Sequence, residues 1–283
     1  MSTPEEGRRR GRKGTSDGRL PGTGSRTEVR EYYRIVGEFI EMELAERGDR
    51  DYWEDLVREM QGPRVLELGA GTGRVTRMIA PLARGVVAVD LSRWMLDQAR
   101  EALKTTAAVH LIQADMRRLP VAGRFDLAIA ANDPLVHLPL GEDRDRVLGL
   151  VADHLRPGGV FILDSFWMRP STRRKAAGPG GWKRSRSIGP PHREVVVREA
   201  WTLDPEEWIG QVAYEYEEGG RTVARASFRP RLWSPDEVRE RFSRAGLRIR
   251  RVLGDYQGTP WDPDSASSLL VEAEREPDVP RDP

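Results

Sequence analysis

The sequence lacks cysteine, contains only four lysines, and has no apolar run approaching the roughly 18 residues of a membrane-spanning helix. The absence of cysteine excludes disulfide bonds, thiolate metal ligands and a cysteine nucleophile. The N-terminal segment lacks the apolar stretch of a signal peptide, so no signal peptide is predicted. No group of His, Asp and Glu residues has the spacing of a metal site. We therefore expect a cytoplasmic protein without a membrane partner or a bound metal.

Charge is unevenly distributed along the 283 residues, although the formal net charge is only +1. Residues 1–26 carry +4 and residues 169–193 carry +8, so the rest of the chain carries −11. We predict a disordered basic tail over 1–26 and a single domain over 27–283 that includes a basic loop at 167–193. This loop has two interpretations: a disordered insertion, or a lid that attracts an anionic ligand.

Strands and helices alternate through the central part of the chain. Apolar residues at helical spacing predict two helices between Thr27 and Met60. Five apolar strands separated by helices are predicted at 64–68, 86–90, 108–112, 126–131 and 160–166. Because near-continuous apolar strands with helical connections form parallel sheets covered on both faces, the predicted class is α/β with a doubly wound sheet.

The hydrophobic period changes after the basic loop. Polar and apolar residues alternate in three segments, which predict antiparallel strands at 194–203, 207–217 and 221–231. A helix capped by Ser234 and two strands at 247–253 and 267–273 complete the chain. We therefore expect a seven-stranded, mostly parallel sheet with a three-strand antiparallel insertion at 194–231 that caps the ligand site.

The most specific motif is VLELGAGTGR at residues 65–74, where three glycines lie between a predicted strand and a predicted helix. Gly69, Gly71 and Gly73 allow the backbone to turn tightly and to approach a ligand closely. Asp90 ends the next strand, where a carboxylate can accept hydrogen bonds from both hydroxyls of a ribose. The motif predicts a nucleoside-binding loop.

Two further acidic residues distinguish this loop from a dinucleotide-binding site. Glu67 precedes the first glycine by two residues, and a carboxylate there repels pyrophosphate but suits an ammonium group. Asp115 follows the third strand, where it can accept the amino group of adenine while the Met116 backbone N–H meets a ring nitrogen. The G-x-G-x-G spacing therefore disfavours a pyridine-nucleotide oxidoreductase.

Together these residues resemble the class I S-adenosylmethionine-dependent methyltransferases of the small-molecule type, over about 60–166 and again over 232–273. The resemblance implies S-adenosylmethionine as cofactor, with Glu67 and the three glycines around its methionine part and Asp90 on its ribose. It further implies that Leu91 and Met95 flank the adenine and that Asp115 and Met116 contact its edge. Asn132 would line the path to the methyl group.

Two residues after the fourth strand are candidates for catalysis. This strand is followed by NDPL at 132–135, whereas amino-methyltransferases of DNA adenine and glutamine carry an aromatic fourth residue, which argues against nucleobase methylation. His137 either orients or deprotonates the acceptor, or caps the following helix. Asp133 either pairs with a cationic substrate or caps a turn.

Four tyrosine and arginine residues are candidates for acceptor contacts. Tyr214 either packs in the core of the cap or lines the pocket, and Arg229 either lies on a solvated face or reaches an acidic substrate. Tyr256 lies in a connection that resembles the one in many bacterial small-molecule methyltransferases, and we expect it to line the pocket. Tyr33 is expected to close over the cofactor.

The leading hypothesis is a methyltransferase that moves a methyl group to nitrogen or oxygen of a small-molecule acceptor, which could be anionic. The alternative is an RNA methyltransferase that uses the basic tail and the basic loop. The acidic body of the chain and the cap strands favour the small molecule, so a nucleic-acid partner is not expected. The identity of the acceptor and the formation of a homo-oligomer stay open.

Overall fold

The computed structural model describes residues 25–106 and 108–277, which form two sheets and the helices around them. Within these ranges the strands are β1 Arg64–Leu68, β2 Gly85–Asp90, β3 Val109–Gln113, β4 Phe125–Ala130, β5 Leu155–Phe166, β6 Trp182–Ile188, β7 Val195–Asp204, β8 Ile209–Glu218, β9 Arg221–Phe228, β10 Leu247–Leu253 and β11 Ser268–Arg275. The helices are α1 Arg26–Leu44, α2 Arg50–Glu59, α3 Arg74–Ile79, α4 Arg93–Ala102, α5 Gly141–His154, α6 Pro170–Ala177 and α7 Pro235–Arg244.

The larger sheet has seven strands in the order β10-β11-β5-β4-β1-β2-β3. Strands β1 to β5 are parallel, and β11 runs antiparallel between β5 and β10. Side chains of α2 and α3 pack on one face, and side chains of α5 and α7 pack on the other. The predicted α/β class and the seven-stranded, mostly parallel, doubly wound sheet are confirmed.

The insertion after β5 forms a second, antiparallel sheet of four strands, β6-β7-β8-β9, rather than the predicted three. The additional strand lies in the segment 167–193 that was predicted to be a basic loop, and α6 precedes it. The interpretation as a disordered insertion is therefore wrong, while a role as a lid stays a prediction. Strand β6 has few apolar residues, and ion pairs hold it in place instead. Arg184 pairs with Glu199, and Arg186 pairs with both Glu199 and Glu43 of α1.

Helix α1 packs between the second sheet and the larger one. It begins after Ser25, whose hydroxyl accepts the backbone N–H of Glu28; residues 1–24 of the predicted tail lie outside the described residues. Phe39 stacks on Tyr216 of β8 with ring centroids 4.3 Å apart. Gly37 faces α4, where an added Cβ would lie 2.1 Å from the Trp94 indole, so only glycine allows this close approach.

Candidate functional site

A cavity lies at the carboxyl edge of the larger sheet, where β1, β2, β3 and β4 end and α1 crosses them. Its empty volume is about 1000 Å³, part of which is open to solvent. Parallel strands end at one edge of a sheet, so residues that are distant in sequence meet there. The wall includes nine of the ten predicted cofactor residues, namely Glu67, Gly69, Gly71, Asp90, Leu91, Met95, Asp115, Met116 and Asn132.

The loop between β1 and α3 depends on three glycines with positive φ. A Cβ on Gly69 would lie 2.4 Å from Cβ of Pro134, whereas beside Gly71 nothing lies within 4 Å and the backbone borders open space. Gly73 lies outside the cavity wall and precedes α3, where an added Cβ would lie 3.0 Å from Leu103. Contrary to the prediction, Gly73 serves helix packing.

Asp90 ties the glycine loop to the end of β2. Its Oδ2 accepts the Gly71 backbone N–H at 2.8 Å, and its Oδ1 accepts the Ser92 backbone N–H at 2.7 Å. Burial raises the pKa of Asp90 above its ordinary value, although these hydrogen bonds oppose the shift. The carboxylate is therefore held in one orientation, with lone pairs left for hydroxyl donors in the cavity.

Glu67 is a buried carboxylate at the end of β1, only 2% exposed. The Thr76 hydroxyl donates to its Oε2, and its Oε1 has no hydrogen-bond partner among the described residues. Burial raises the pKa of Glu67 to about 7, so the group is partly protonated at neutral pH. A cationic ligand group beside it would favour the ionised form.

Asp115 is already engaged by two arginines. The Arg26 Nε donates to its Oδ2 at 2.6 Å, and Arg117 donates to Oδ1 from its backbone N–H and to Oδ2 from Nη2. Burial raises the pKa of Asp115, but the hydrogen bonds from Arg117 and Arg26 outweigh it and lower the pKa to about 2. A ligand amino group at Asp115 must displace one arginine, and Arg26 is the more exposed of the two.

Tyr33 and His137 form a pair in the cavity wall, with the Tyr33 hydroxyl 2.8 Å from Nε2 of the imidazole. Burial lowers the pKa of His137 to about 4, so the ring is uncharged at neutral pH. The ring of Phe228, from β9, lies 4.7 Å from it. Leu140 is the residue that precedes α5, so the interpretation of His137 as a helix cap is wrong.

Asp133 does not line the cavity. Only 3% of the residue is exposed, and its carboxylate accepts the Ser165 hydroxyl at 2.5 Å and Trp233 Nε1 at 3.4 Å. Burial raises its pKa to about 6. Of the two interpretations, the geometry fits a carboxylate that fixes the turn after β4 and does not fit pairing with a substrate.

A second cavity lies between α1 and the second sheet, with an empty volume of about 1750 Å³ including space open to solvent. Tyr214 lines this cavity, and so does Tyr32, whose ring lies 5.1 Å from Tyr33 and 5.9 Å from His137. Arg229 is exposed and lines neither of the two cavities. Aromatic side chains thus separate the cavity at the sheet edge from the cavity under the cap.

Tyr256 also lies outside both cavity walls, contrary to the prediction. Its hydroxyl donates to Asp164 at 3.0 Å and accepts a hydrogen bond from Arg47 at 2.5 Å. The sequence analysis did not predict a role at the site for Arg26 or Arg47. Arg47 lies between two helices and belongs to no motif. Arg74 lines the cavity and directly follows the glycine loop, so its location could have been predicted from the motif.

Among the residues that the structure describes, no group of three or more His, Cys, Asp or Glu is arranged to hold a metal ion. In the same part of the chain, no helix is long and apolar enough to cross a membrane.

Comparisons with known proteins give the class. A family model described as "Methyltransferase domain" matches residues 65–159. The cypemycin N-terminal methyltransferase of Streptomyces sp is 30% identical over 222 residues, which are 77% of this chain and 86% of that protein. The dTDP-3-amino-3,4,6-trideoxy-alpha-D-glucopyranose N,N-dimethyltransferase of Streptomyces venezuelae is 24% identical over 222 residues, covering 72% of this chain and 84% of that one.

A solved structure shows the shared fold. It is an S-adenosylmethionine-dependent methyltransferase from Clostridium acetobutylicum ATCC 824, with a TM-score of 0.70 at 18% identity, covering 87% of this chain and 99% of that chain. The sheet order, the glycine loop and the carboxylates at the sheet edge define a class I methyltransferase fold. The chain belongs to the S-adenosylmethionine-dependent methyltransferases, and S-adenosylmethionine is its cofactor.

Proposed function

We propose that this methyltransferase transfers a methyl group to an amine nitrogen of a small-molecule or short peptide acceptor. The observation that carries the proposal is the uncharged pair of Tyr33 and His137, placed where the cofactor cavity approaches the cavity under the cap. The names of two relatives, one acting on a peptide N-terminus and one on an amino sugar, support an amine acceptor.

The residues of the first cavity fit the cofactor by their chemistry. When bound, S-adenosylmethionine supplies an electrophilic methyl group on a sulfonium. Asp90 would accept the ribose hydroxyls, Glu67 would accept the ammonium group, and Leu91 and Met95 would flank the adenine. The open space beside Gly71, which a Cβ would fill, supports a ligand lying against this backbone.

The pair of Tyr33 and His137 would orient the acceptor amine. A histidine with a pKa of about 4 is a weak base, so it stays neutral and does not repel a cationic ligand. Its hydrogen bond to Tyr33 fixes the ring, and one ring nitrogen stays available to the amine. The proposal therefore assigns positioning of the acceptor to this pair rather than strong base catalysis.

The charges of the second cavity support a neutral or weakly charged acceptor. Arg184 and Arg225 line this cavity, but Glu199 and Glu215 neutralise them. In the basic segment, Arg186 and Arg193 also pair with carboxylates, which reduces the positive surface available to an RNA. An anionic acceptor, a homo-oligomer and a cytoplasmic location stay predictions.

Replacing His137 by alanine is expected to lower kcat about 100-fold while the KM for the acceptor changes little, because a misoriented acceptor costs rate more than affinity. Tyr33→Phe should lower kcat in the same direction by a smaller factor. Steady-state kinetics with an identified acceptor measures both. His154→Ala is the control, because His154 bonds only carbonyls in and near α5. An unchanged kcat in His137→Ala would refute the assignment.

Cofactor affinity is expected to rise with pH between about 6 and 8. Glu67 has a pKa of about 7 in the folded protein, and the ammonium group of the ligand binds the ionised carboxylate better. Below this pKa, binding must expel a proton, so affinity falls up to about tenfold per pH unit. Calorimetry with S-adenosylhomocysteine measures the slope, and Glu67→Gln should flatten it. A wild-type affinity that is constant over this range contradicts the role of Glu67.

Acceptor panels test the nature of the methylated atom. The enzyme is incubated with S-adenosylmethionine carrying an isotope-labelled methyl group and with short peptides or amino sugars, each paired with its N-acetylated form. We expect label in the free amines and none in the acetylated partners, as read by mass spectrometry. Label that appears equally in the acetylated compounds would instead indicate transfer to oxygen.

A further inference from the structure

Strand order fixes which part of the cofactor meets which residue. Along the carboxyl edge the strands run β4, β1, β2, β3, so Asn132, Glu67, Asp90 and Asp115 follow one another in that order. A ligand with its ribose at Asp90 and its adenine towards Asp115 therefore has its methionine part between Glu67 and Asn132. This part carries one cation, the ammonium, and one anion, the carboxylate.

The side chain of Asn132 is held by the ion pair between the partly buried Arg47 and the buried Asp164. Arg47 donates from Nη1 to Asn132 Oδ1 at 2.8 Å, and from Nη2 to both oxygens of Asp164 at 3.0 Å. Asp164 Oδ2 in turn accepts the backbone N–H of Asn132 at 2.9 Å. The backbone of Asn132 has a φ of 56°, a left-handed conformation that these contacts stabilise.

These contacts determine which atoms Asn132 offers to the cavity. A guanidinium only donates hydrogen bonds, so the atom facing Arg47 must be the amide oxygen. The amide nitrogen has no hydrogen-bond partner among the described residues, and Asn132 lines the cavity. At this end of the cavity, Asn132 therefore presents hydrogen-bond donors, while Glu67 presents an acceptor.

We propose that Arg47 is a positioning residue that makes Asn132 the hydrogen-bond donor for the carboxylate of the cofactor. The amide N–H groups match an anion, and the ammonium belongs to Glu67 on the neighbouring strand. Arg47 acts through Asn132, because it does not line the cavity and each of its three nitrogens already donates, to Tyr256, Asn132 and Asp164. The proposal rests on the binding mode described under the proposed function.

Asn132→Asp is the decisive variant because it keeps the size of the side chain and its pairing with Arg47, yet it replaces the N–H donors by lone pairs. Two probes are compared by calorimetry: S-adenosylhomocysteine, which has the carboxylate, and 5′-methylthioadenosine, which lacks the amino acid part. We expect binding of S-adenosylhomocysteine to weaken about 10- to 100-fold and binding of 5′-methylthioadenosine to stay within about twofold.

Arg47→Met frees the amide of Asn132 to rotate. It should weaken the binding of S-adenosylhomocysteine about tenfold, again with little effect on the binding of 5′-methylthioadenosine. The control is Arg77→Met, which removes only an exposed pair with Glu41. If Arg47→Met does not fold because Asp164 loses its partner, Arg47→Lys replaces it, since lysine keeps the charge beside Asp164 but has a single donor nitrogen. A folded Arg47 variant that binds S-adenosylhomocysteine as tightly as the wild type overturns the role of Arg47.

Equal losses for both probes in Asn132→Asp, or no loss for either, overturn the role of Asn132. If the wild-type enzyme binds neither probe, the binding mode itself is wrong and the inference is wrong with it.

Discussion

Replacement of Asp90 by alanine is expected to weaken S-adenosylhomocysteine binding more than about 100-fold, because two hydrogen bonds to a charged acceptor are lost with the carboxylate. The same carboxylate also holds the Gly71 and Ser92 backbone N–H groups. Its removal therefore loosens the glycine loop as well as the contact with the ribose. Calorimetry measures the affinity, and thermal unfolding shows whether the variant is folded.

Two matched variants separate these contributions to the effect of Asp90. Asp90→Asn keeps the shape and one acceptor oxygen, and should lose less affinity than Asp90→Ala. Asp126→Ala removes a carboxylate that accepts the Arg64 backbone N–H at the opposite edge of the sheet, and it should leave affinity unchanged. A folded Asp90→Ala variant with the affinity of the wild type would overturn the placement of the ribose.

Replacement of Arg144 by alanine is expected to lower the free energy of unfolding by about 3–5 kcal/mol, because it leaves Oε2 of Glu237 and the buried carbonyl oxygens of Leu135 and Leu232 without their donor. Arg144 is fully buried, lies 3.9 Å above the Trp233 ring and donates to Glu237 at 3.2 Å. Its charge also stabilises the ionised form of Asp133. Denaturant unfolding monitored by circular dichroism measures the change.

The control for this prediction is Arg244→Ala. Arg244 pairs with Asp145 on the surface, where more than half of the arginine side chain is exposed, so its loss should cost less than about 1 kcal/mol. Equal effects of the two variants would show that the Arg144 cluster contributes no more than an ordinary surface pair.

The sequence was sufficient to predict the larger sheet and the main carboxylates of the cofactor cavity. Strand β1 has the predicted bounds, because a short, mostly apolar run between a proline and a glycine loop has few alternative structures. Glu67, Asp90 and Asp115 then meet by topology alone. Their role in binding the cofactor stays a prediction, while their location at one edge is observed.

Other features could not be predicted because they depend on tertiary partners. The basic strand β6 contains residues that are typical of a loop, and it is stabilised by Glu199 and by Glu43 of a distant helix. The sequence left two roles open for Asp133, a substrate ligand or a turn residue, and only the structure shows that Ser165 and Trp233 occupy its carboxylate. Such pairings have no local signal, because the partners are 32 and 100 residues away.

Helix α1 has consecutive tyrosines in the walls of two different cavities, Tyr32 under the cap and Tyr33 at the sheet edge. A ligand that shifts this helix on one side therefore changes the free energy of binding on the other. Such coupling is reciprocal: if bound cofactor raises the affinity for the acceptor by some factor, bound acceptor raises the affinity for the cofactor by the same factor. The size of this coupling factor would then depend on how helix α1 packs between the two cavities.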